Sequence, residues 1–168
     1  MKDIELKLIS ELIKNSRRSD RELSRVVGVS QPTASRIIKR LEKEEVLVEY
    51  SALPNLPKLG YGMIAVVFGR RDYQKHPEIN TQKARDFAKR HPNIIFGAAG
   101  EGLGYDRISI SLHKNYSDYA RFVKDIKAEW EGIMDISSFL IDLTSRTVVQ
   151  EPFSLKDFAE SLKEEKAK

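Results

Sequence analysis

The stretch ELSRVVGVSQPTASRIIKRLEK, residues 22–43, constrains the backbone more than any other part of the chain. Leu23, Val26 and Val27 place apolar groups on one face of a helix. Gly28 can take the positive φ that a tight turn between helices requires. Ser30 offers a hydroxyl to cap a second helix, and Pro32 is tolerated in its first turn, where a missing N–H costs little. Ala34, Ile37, Ile38 and Leu41 form the inward stripe of that second helix. At about 100° per residue, Arg36 and Lys43 then point away from the core, with Lys39 and Arg40 beside them and Thr33 and Ser35 at the edges.

No acidic residue occurs between Gln31 and Leu41. Acids are favoured in a helix's first turn, so their absence suits a helix start that approaches phosphates. Arg, Gln, Ser and Thr are also side chains that read base edges. A lone basic run would more simply be a solvated helix face. The agreement of turn, spacing and charge favours a DNA-binding helix-turn-helix, with Ser30, Gln31, Thr33, Ser35, Arg36, Lys39 and Arg40 as its candidate contacts. Arg17 and Arg18, in the preceding loop, are either phosphate clamps or solvated loop charges.

The charge distribution agrees. Residues 14–43 hold nine Lys or Arg against three acids, a surplus of six in a chain whose net charge is only +4. The remainder is slightly acidic, so the positive field is concentrated on the motif. With 168 residues the chain can form one domain or two small ones. It has no cysteine, which excludes disulfide and thiolate chemistry. No apolar run approaches the ~20 residues of a membrane span, and no signal-peptide core is present. A cytoplasmic protein without a membrane partner is the expectation.

Residues 3–14 carry helical apolar spacing through Ile4, Leu8, Ile9, Leu12 and Ile13, and Ser19 with Glu22 fits a capping box. Behind the basic helix, Val46–Tyr50 is β-prone and stands where the wing of a winged helix belongs. Glu42, Glu44 and Glu45 crowd the end of that helix against the macrodipole, which implies that this end stays away from phosphates. Leu53–Gly60 holds two prolines and reads as a semi-rigid, extended linker. Strand patterns follow at Met63–Phe68, Ile94–Ala99, Arg107–Leu112 and Ile136–Leu143. Helical patterns lie at Lys83–Arg90 and over Tyr119–Trp130, with Gly132 as terminator. Ser154 can cap a last helix with Leu155, Phe158, Ala159 and Leu162 on one face. The class is α+β: a winged helix-turn-helix (residues 1–52), a proline-containing linker (53–60), a ferredoxin-like βαββαβ domain (61–146) and a C-terminal extension with a short helix (147–168).

Both faces of the first strand are apolar, Met63, Ala65 and Val67 on one side and Ile64, Val66 and Phe68 on the other. Two helices cover one face of a four-stranded sheet, and an antiparallel sheet facing water should alternate instead. A second subunit is therefore expected on the other face, giving a homodimer, which also suits paired DNA half-sites.

The chain resembles the Lrp/AsnC regulators. The matching residues are Asp3-Ile4-Glu5-Leu6, Asn15-Ser16-Arg17-Arg18-Ser19, Glu22-Leu23, Val27-Gly28-Val29-Ser30, Arg36-Ile37, Arg40-Leu41-Glu42 and Val46. They continue with Asn55, Leu59-Gly60, His91-Pro92-Asn93-Ile94 and Gly104-Tyr105-Asp106, up to about Thr147. The resemblance implies a DNA-binding winged helix joined to a domain that senses small molecules, often amino acids, and assembles dimers into larger rings. It places the effector near the turn Gly100-Glu101-Gly102-Leu103-Gly104-Tyr105-Asp106, which is longer here than in the family's pattern, as is the charged stretch from Arg70 to Thr81.

The glycines of that turn do not read as a nucleotide loop, because a strand follows where a phosphate loop needs a helix. An amino acid is better served: freed backbone N–H groups can hold a carboxylate while Asp106 or Glu101 pairs with an ammonium. Equally, Asp106 can simply cap the turn. His76, His91 and His113 show no metal-ligand spacing, and no nucleophile–base motif appears, so neither metal, cofactor nor enzyme activity is expected. Three functions stay open. They are an effector-responsive transcriptional regulator, an architectural or autoregulatory DNA-binding protein without effector, and a small-molecule-binding metabolic module that does not bind DNA.

Overall fold

The computed structural model describes residues 1–72, 74, 81–145 and 148–164. His76 and most of the charged stretch before Thr81 lie outside the described residues. The chain forms two compact units, Met1–Leu53 together with the segment from Glu151, and Pro54–Gln150.

In the first unit, α1 (Asp3–Lys14), α2 (Asp20–Val27) and α3 (Gln31–Lys43) enclose a core of Leu8, Leu12, Leu23, Ala34 and Ile38. The Ser19–Glu22 capping box forms in both directions. Gly28 takes φ 77° and its N–H bonds the Ser24 carbonyl, closing α2 so that Ser30 can open α3. Val27 packs on this core, whereas Val26 is exposed, one residue past the edge of the buried arc.

The segment Val46–Tyr50 is not a strand. Its start is used to end α3. Glu45 enters the left-handed region at φ 55°, its N–H bonds the Glu42 carbonyl at 3.1 Å, and the Val46 N–H bonds the Leu41 carbonyl at 2.9 Å. These are the two hydrogen bonds of a Schellman ending. Leu47 then joins the core while Val48 is left exposed, and among the described residues this run has no pairing strand with which to build a wing. The proline linker also departs from the extended form expected. Pro57–Leu59 make a single 3₁₀ turn, started by Asn55, whose side-chain Oδ1 accepts from the Lys58 N–H at 3.1 Å.

The C-terminal helix α6 (Lys156–Glu164) packs on α1. Ala159 is buried there, and the Ser10 hydroxyl donates to its carbonyl at 2.6 Å. The Ser154 hydroxyl accepts from the Lys156 N–H at 3.2 Å, one residue before the cap position held by Leu155, and Leu155 and Phe158 stay exposed.

The second unit is β1 (Met63–Arg71), α4 (Thr81–Arg90), β2 (Ile94–Gly102), β3 (Tyr105–His113), α5 (Tyr116–Trp130) and β4 (Met134–Asp142). The strands form one antiparallel sheet in the order β2-β3-β1-β4, the arrangement expected of a ferredoxin-like fold. Ala65 and Val67 of β1 meet Phe87 of α4 and Tyr119, Phe122, Ile126 and Trp130 of α5 in one core. The opposite face carries Ile64, Val66 and Phe68, with Leu112, Ile110 and Ile108 beside them on β3 and Ile141 and Phe139 on β4. Phe139 is 63% exposed there, and no described element of the unit's own core lies over it.

Glu45 occupies a backbone position that costs a side-chain-bearing residue roughly 1 kcal/mol and glycine little. Glu45→Gly should therefore stabilise the first unit by up to about 0.5 kcal/mol, after the greater freedom of glycine in the unfolded chain is offset. A higher urea midpoint at unchanged slope is the expected result.

Candidate nucleic-acid interface

The basic helix presents its predicted face. Arg36, Lys39 and Lys43 are exposed, Gln31 is exposed at the first helical position, and Thr33 and Ser35 are half-buried at the edges. Ser30 is engaged as the cap: its Oγ accepts from the Thr33 N–H at 3.4 Å and lies 2.8 Å from the Thr33 hydroxyl. Since the first turn of α3 holds no acid, its positive dipole end is uncompensated by side chains. Arg36 and Lys39 make no ion pair among the described residues.

Two other candidates are held from within. Arg40 pairs with Glu5 of α1, and Arg18 with Glu11 of α1; both glutamates are buried. Glu5 also accepts from the backbone N–H of Lys2 at 2.7 Å. That hydrogen bond first, and the Arg40 guanidinium after it, hold the Glu5 carboxyl below its usual pKa against the opposing effect of burial. Lys14 bridges Glu11, at 3.3 Å, and Glu160 of α6. Arg17 is exposed in the loop, where its backbone N–H bonds Asn15 Oδ1 at 3.0 Å.

Glu5 and Glu11, which hold two of the candidate contacts, do not stand out in the sequence as partners of those arginines. The signal was present for Glu5: it lies seven residues before Leu12, hence almost in line with it at the centre of the apolar arc. A carboxylate there must find a cation from a neighbouring element. The acids at the end of α3 are also used, because Tyr50 donates its hydroxyl to Glu42 at 2.9 Å. Burial, followed by that carboxylate, pushes the Tyr50 phenol up to about 12.

The seven residues expected to form an effector turn are mostly strand. Gly100, Glu101 and Gly102 continue β2, and Tyr105 and Asp106 begin β3, leaving Leu103 and Gly104 as a two-residue turn. Both have positive φ, 54° and 77°, which is the type I′ hairpin geometry. A register shift between Ala99 and Gly102 absorbs the extra length. Asp106 Oδ1 accepts from the Arg71 N–H at 3.1 Å, and Tyr105 reaches the Ser137 hydroxyl at 2.6 Å and the Phe68 ring. Gly100–Gly104 are exposed. Among the described residues, no group of three or more acidic or imidazole side chains could hold a metal ion.

A three-helix head whose third helix is cationic and holds no acid in its first turn defines the class: a DNA-binding helix-turn-helix regulator. Residues 1–48 match the winged helix-turn-helix DNA-binding family model. The chain is 33% identical over 124 residues to an uncharacterized HTH-type transcriptional regulator of Pyrococcus furiosus, covering 74% of this chain and 80% of that protein. It is 32% identical over 137 residues to the leucine-responsive regulatory protein of Rhizobium meliloti, covering 82% and 86% respectively. A solved transcriptional regulator from Neisseria meningitidis, in complex with L-Met, superposes with a TM-score of 0.73 at 18% identity, over 94% of this chain and 99% of that one. The chain belongs to the Lrp/AsnC family of transcriptional regulators. It is thus a DNA-binding regulator of transcription and not an enzyme.

Folding lowers the Glu5 pKa, so the unfolded chain takes up the proton first. The resulting stability is complete above the ordinary value of 4.5 and is lost as pH falls from there through the folded-state value. Glu5→Gln should therefore be less stable than the wild type near neutrality, with the difference closing below about pH 4.5. Urea midpoints across that range test it, and a gap that persists in acid would show that Glu5 acts through packing alone.

Proposed function

We propose that the protein works as a homodimer, able to assemble further, whose two recognition helices read paired half-sites in double-stranded DNA. A small-molecule effector such as an amino acid modulates it. The observation that carries the DNA reading is the exposed pair Arg36 and Lys39 on a helix whose start holds no acid. Arg36, Gln31, Thr33 and Ser35 are the base readers, with Ser30 setting the helix start. Lys39 and Arg17 serve the phosphate backbone, while Arg18 and Arg40 act chiefly as positioning residues tied to α1.

The dimer is supported by the apolar sheet face opposite the helices. Each 100 Å² buried there contributes roughly 2.5 kcal/mol before association costs. The effector reading is supported by the L-Met complex of the Neisseria protein. A cytoplasmic site of action fits a regulator in which no described helix is long and apolar enough to cross a membrane.

Arg36→Ala should weaken binding to the preferred operator and relax base preference, by about 1–3 kcal/mol where the guanidinium pairs with guanine. Lys43→Ala, at the acidic end of α3, should cost little. Equal and sequence-independent losses from both would reduce the helix to an electrostatic patch. Phe139→Asp places a charge on the uncovered face without disturbing the protomer core, and light scattering should then report monomer in place of dimer.

A further inference from the structure

A cleft of about 510 Å³ opens at the His113 end of β3, lined by His91, Asn93, His113, Asp118, Arg121 and Asp125, with Phe122 beneath. β3 is nine residues long, so at about 3.3 Å per residue the cleft lies roughly 25 Å from the Leu103–Gly104 turn. The groups gathered there are incompletely satisfied. His91 Nδ1 is 2.9 Å from the Phe87 carbonyl. A carbonyl only accepts, so Nδ1 carries the proton. In the neutral ring, Nε2 then turns a lone pair toward Asp125 Oδ2 at 3.6 Å, acceptor against acceptor.

His113 is wholly buried. Its Nε2 is 2.8 Å from the Ser111 hydroxyl, while Nδ1, 3.8 Å from Asp118 Oδ2, is enclosed with no hydrogen-bond partner. Burial pushes the His113 pKa down, so the ring is neutral near physiological pH. Buried polar atoms almost always have partners, and one left open inside a cleft marks a place for a ligand group or a bridging water.

The charges on α5 divide into used and unused. Asp118 accepts from the Lys114 N–H at 3.1 Å and from the Arg121 guanidinium at 3.0 Å. Arg121 has five donors, and most remain available. Asp125 sits one helical turn beyond Arg121 on the same face, with the His91 ring as its neighbour across the cleft. An acceptor pair therefore stands beside a guanidinium, over the Phe122 ring.

We propose that this cleft binds a small zwitterion of amino-acid size, its ammonium donating to His91 Nε2 and Asp125 Oδ2 and its carboxylate meeting Arg121. It goes beyond the effector reading above by assigning a separate seat, at the opposite end of β3 from the hairpin turn. The test is calorimetric titration of the full-length protein with each standard L-amino acid, followed by the amide and the N-acetyl form of any that binds. Asp125 and Arg121 have side chains 62% and 77% exposed, so Asp125→Asn and Arg121→Gln leave the core intact.

Each of these variants should weaken binding about tenfold or more, as loss of a charge-assisted hydrogen bond does. The amide should reproduce the Arg121→Gln loss and the N-acetyl form the Asp125→Asn loss, while Asp106→Ala leaves affinity unchanged. Binding lost through Asp106→Ala alone would overturn this seat and leave the effector reading standing. Equal losses from all three variants would also overturn it, as a shared structural effect. If no amino acid binds at all, both the seat and the amino-acid reading fall.

Discussion

The reading head depends on two carboxylates buried in its first helix. Glu5 and Glu11 cannot remain charged there without cations, and breaking such a pair by removing one partner is far more costly than never having it. The cations come from elsewhere in the chain: Arg40 from the recognition helix and Arg18 from the loop before α2. Helix α1 is therefore a strut rather than a passive third helix. It fixes the rotation of α3 about its axis, and with it the direction in which Arg36 and Lys39 project. The same helix fastens the loop of Arg17 and holds α6 through Ser10 and Lys14. A cation that neutralises a buried acid is less available to a phosphate, so the basic surplus of this segment overstates the charge facing DNA.

The second unit shows the complementary constraint. Two helices can cover one side of a four-stranded sheet, and α4 and α5 do so with a core dominated by aromatic rings. The other side keeps branched aliphatic and aromatic residues that a solvated sheet would replace with polar ones. Pairing of Val66 with both Ile110 and Phe139 makes this a continuous apolar surface rather than scattered residues. An exposed surface of that kind is rarely left bare in a soluble protein.

Much of this was legible because local chemistry and global fold agree. Gly28, Ser30 and the Ser19–Glu22 box each do at the backbone what their residue types predict, and the period-two pattern of Ile108, Ile110 and Leu112 locates β3 at once. The failures are of another kind. Val46–Tyr50 has strand propensity, but a strand needs a partner, and the chain spends its first residue closing a Schellman ending instead. The glycine-rich run at 100–106 has low strand propensity, yet pairing with β3 extends both strands to a two-residue turn. Arg40 looks the same in sequence whether it faces phosphate or Glu5, thirty-five positions away. His91 and His113 come from different elements, so no spacing rule could have put them in one cleft.

The same distinction governs how the head assembles. The contacts of α2 with α3, and the capping of both, are local and can form early. The contact between Ser10 and Ala159 joins residues 149 apart in sequence, so the whole second unit intervenes before it can close. Loop-closure entropy grows only with the logarithm of that separation, about 0.6 kcal/mol for each doubling, which one buried helix face and a hydrogen bond can offset. Once α6 is docked, the reading head is held in the chain at two crossings, after Leu53 and before Glu151.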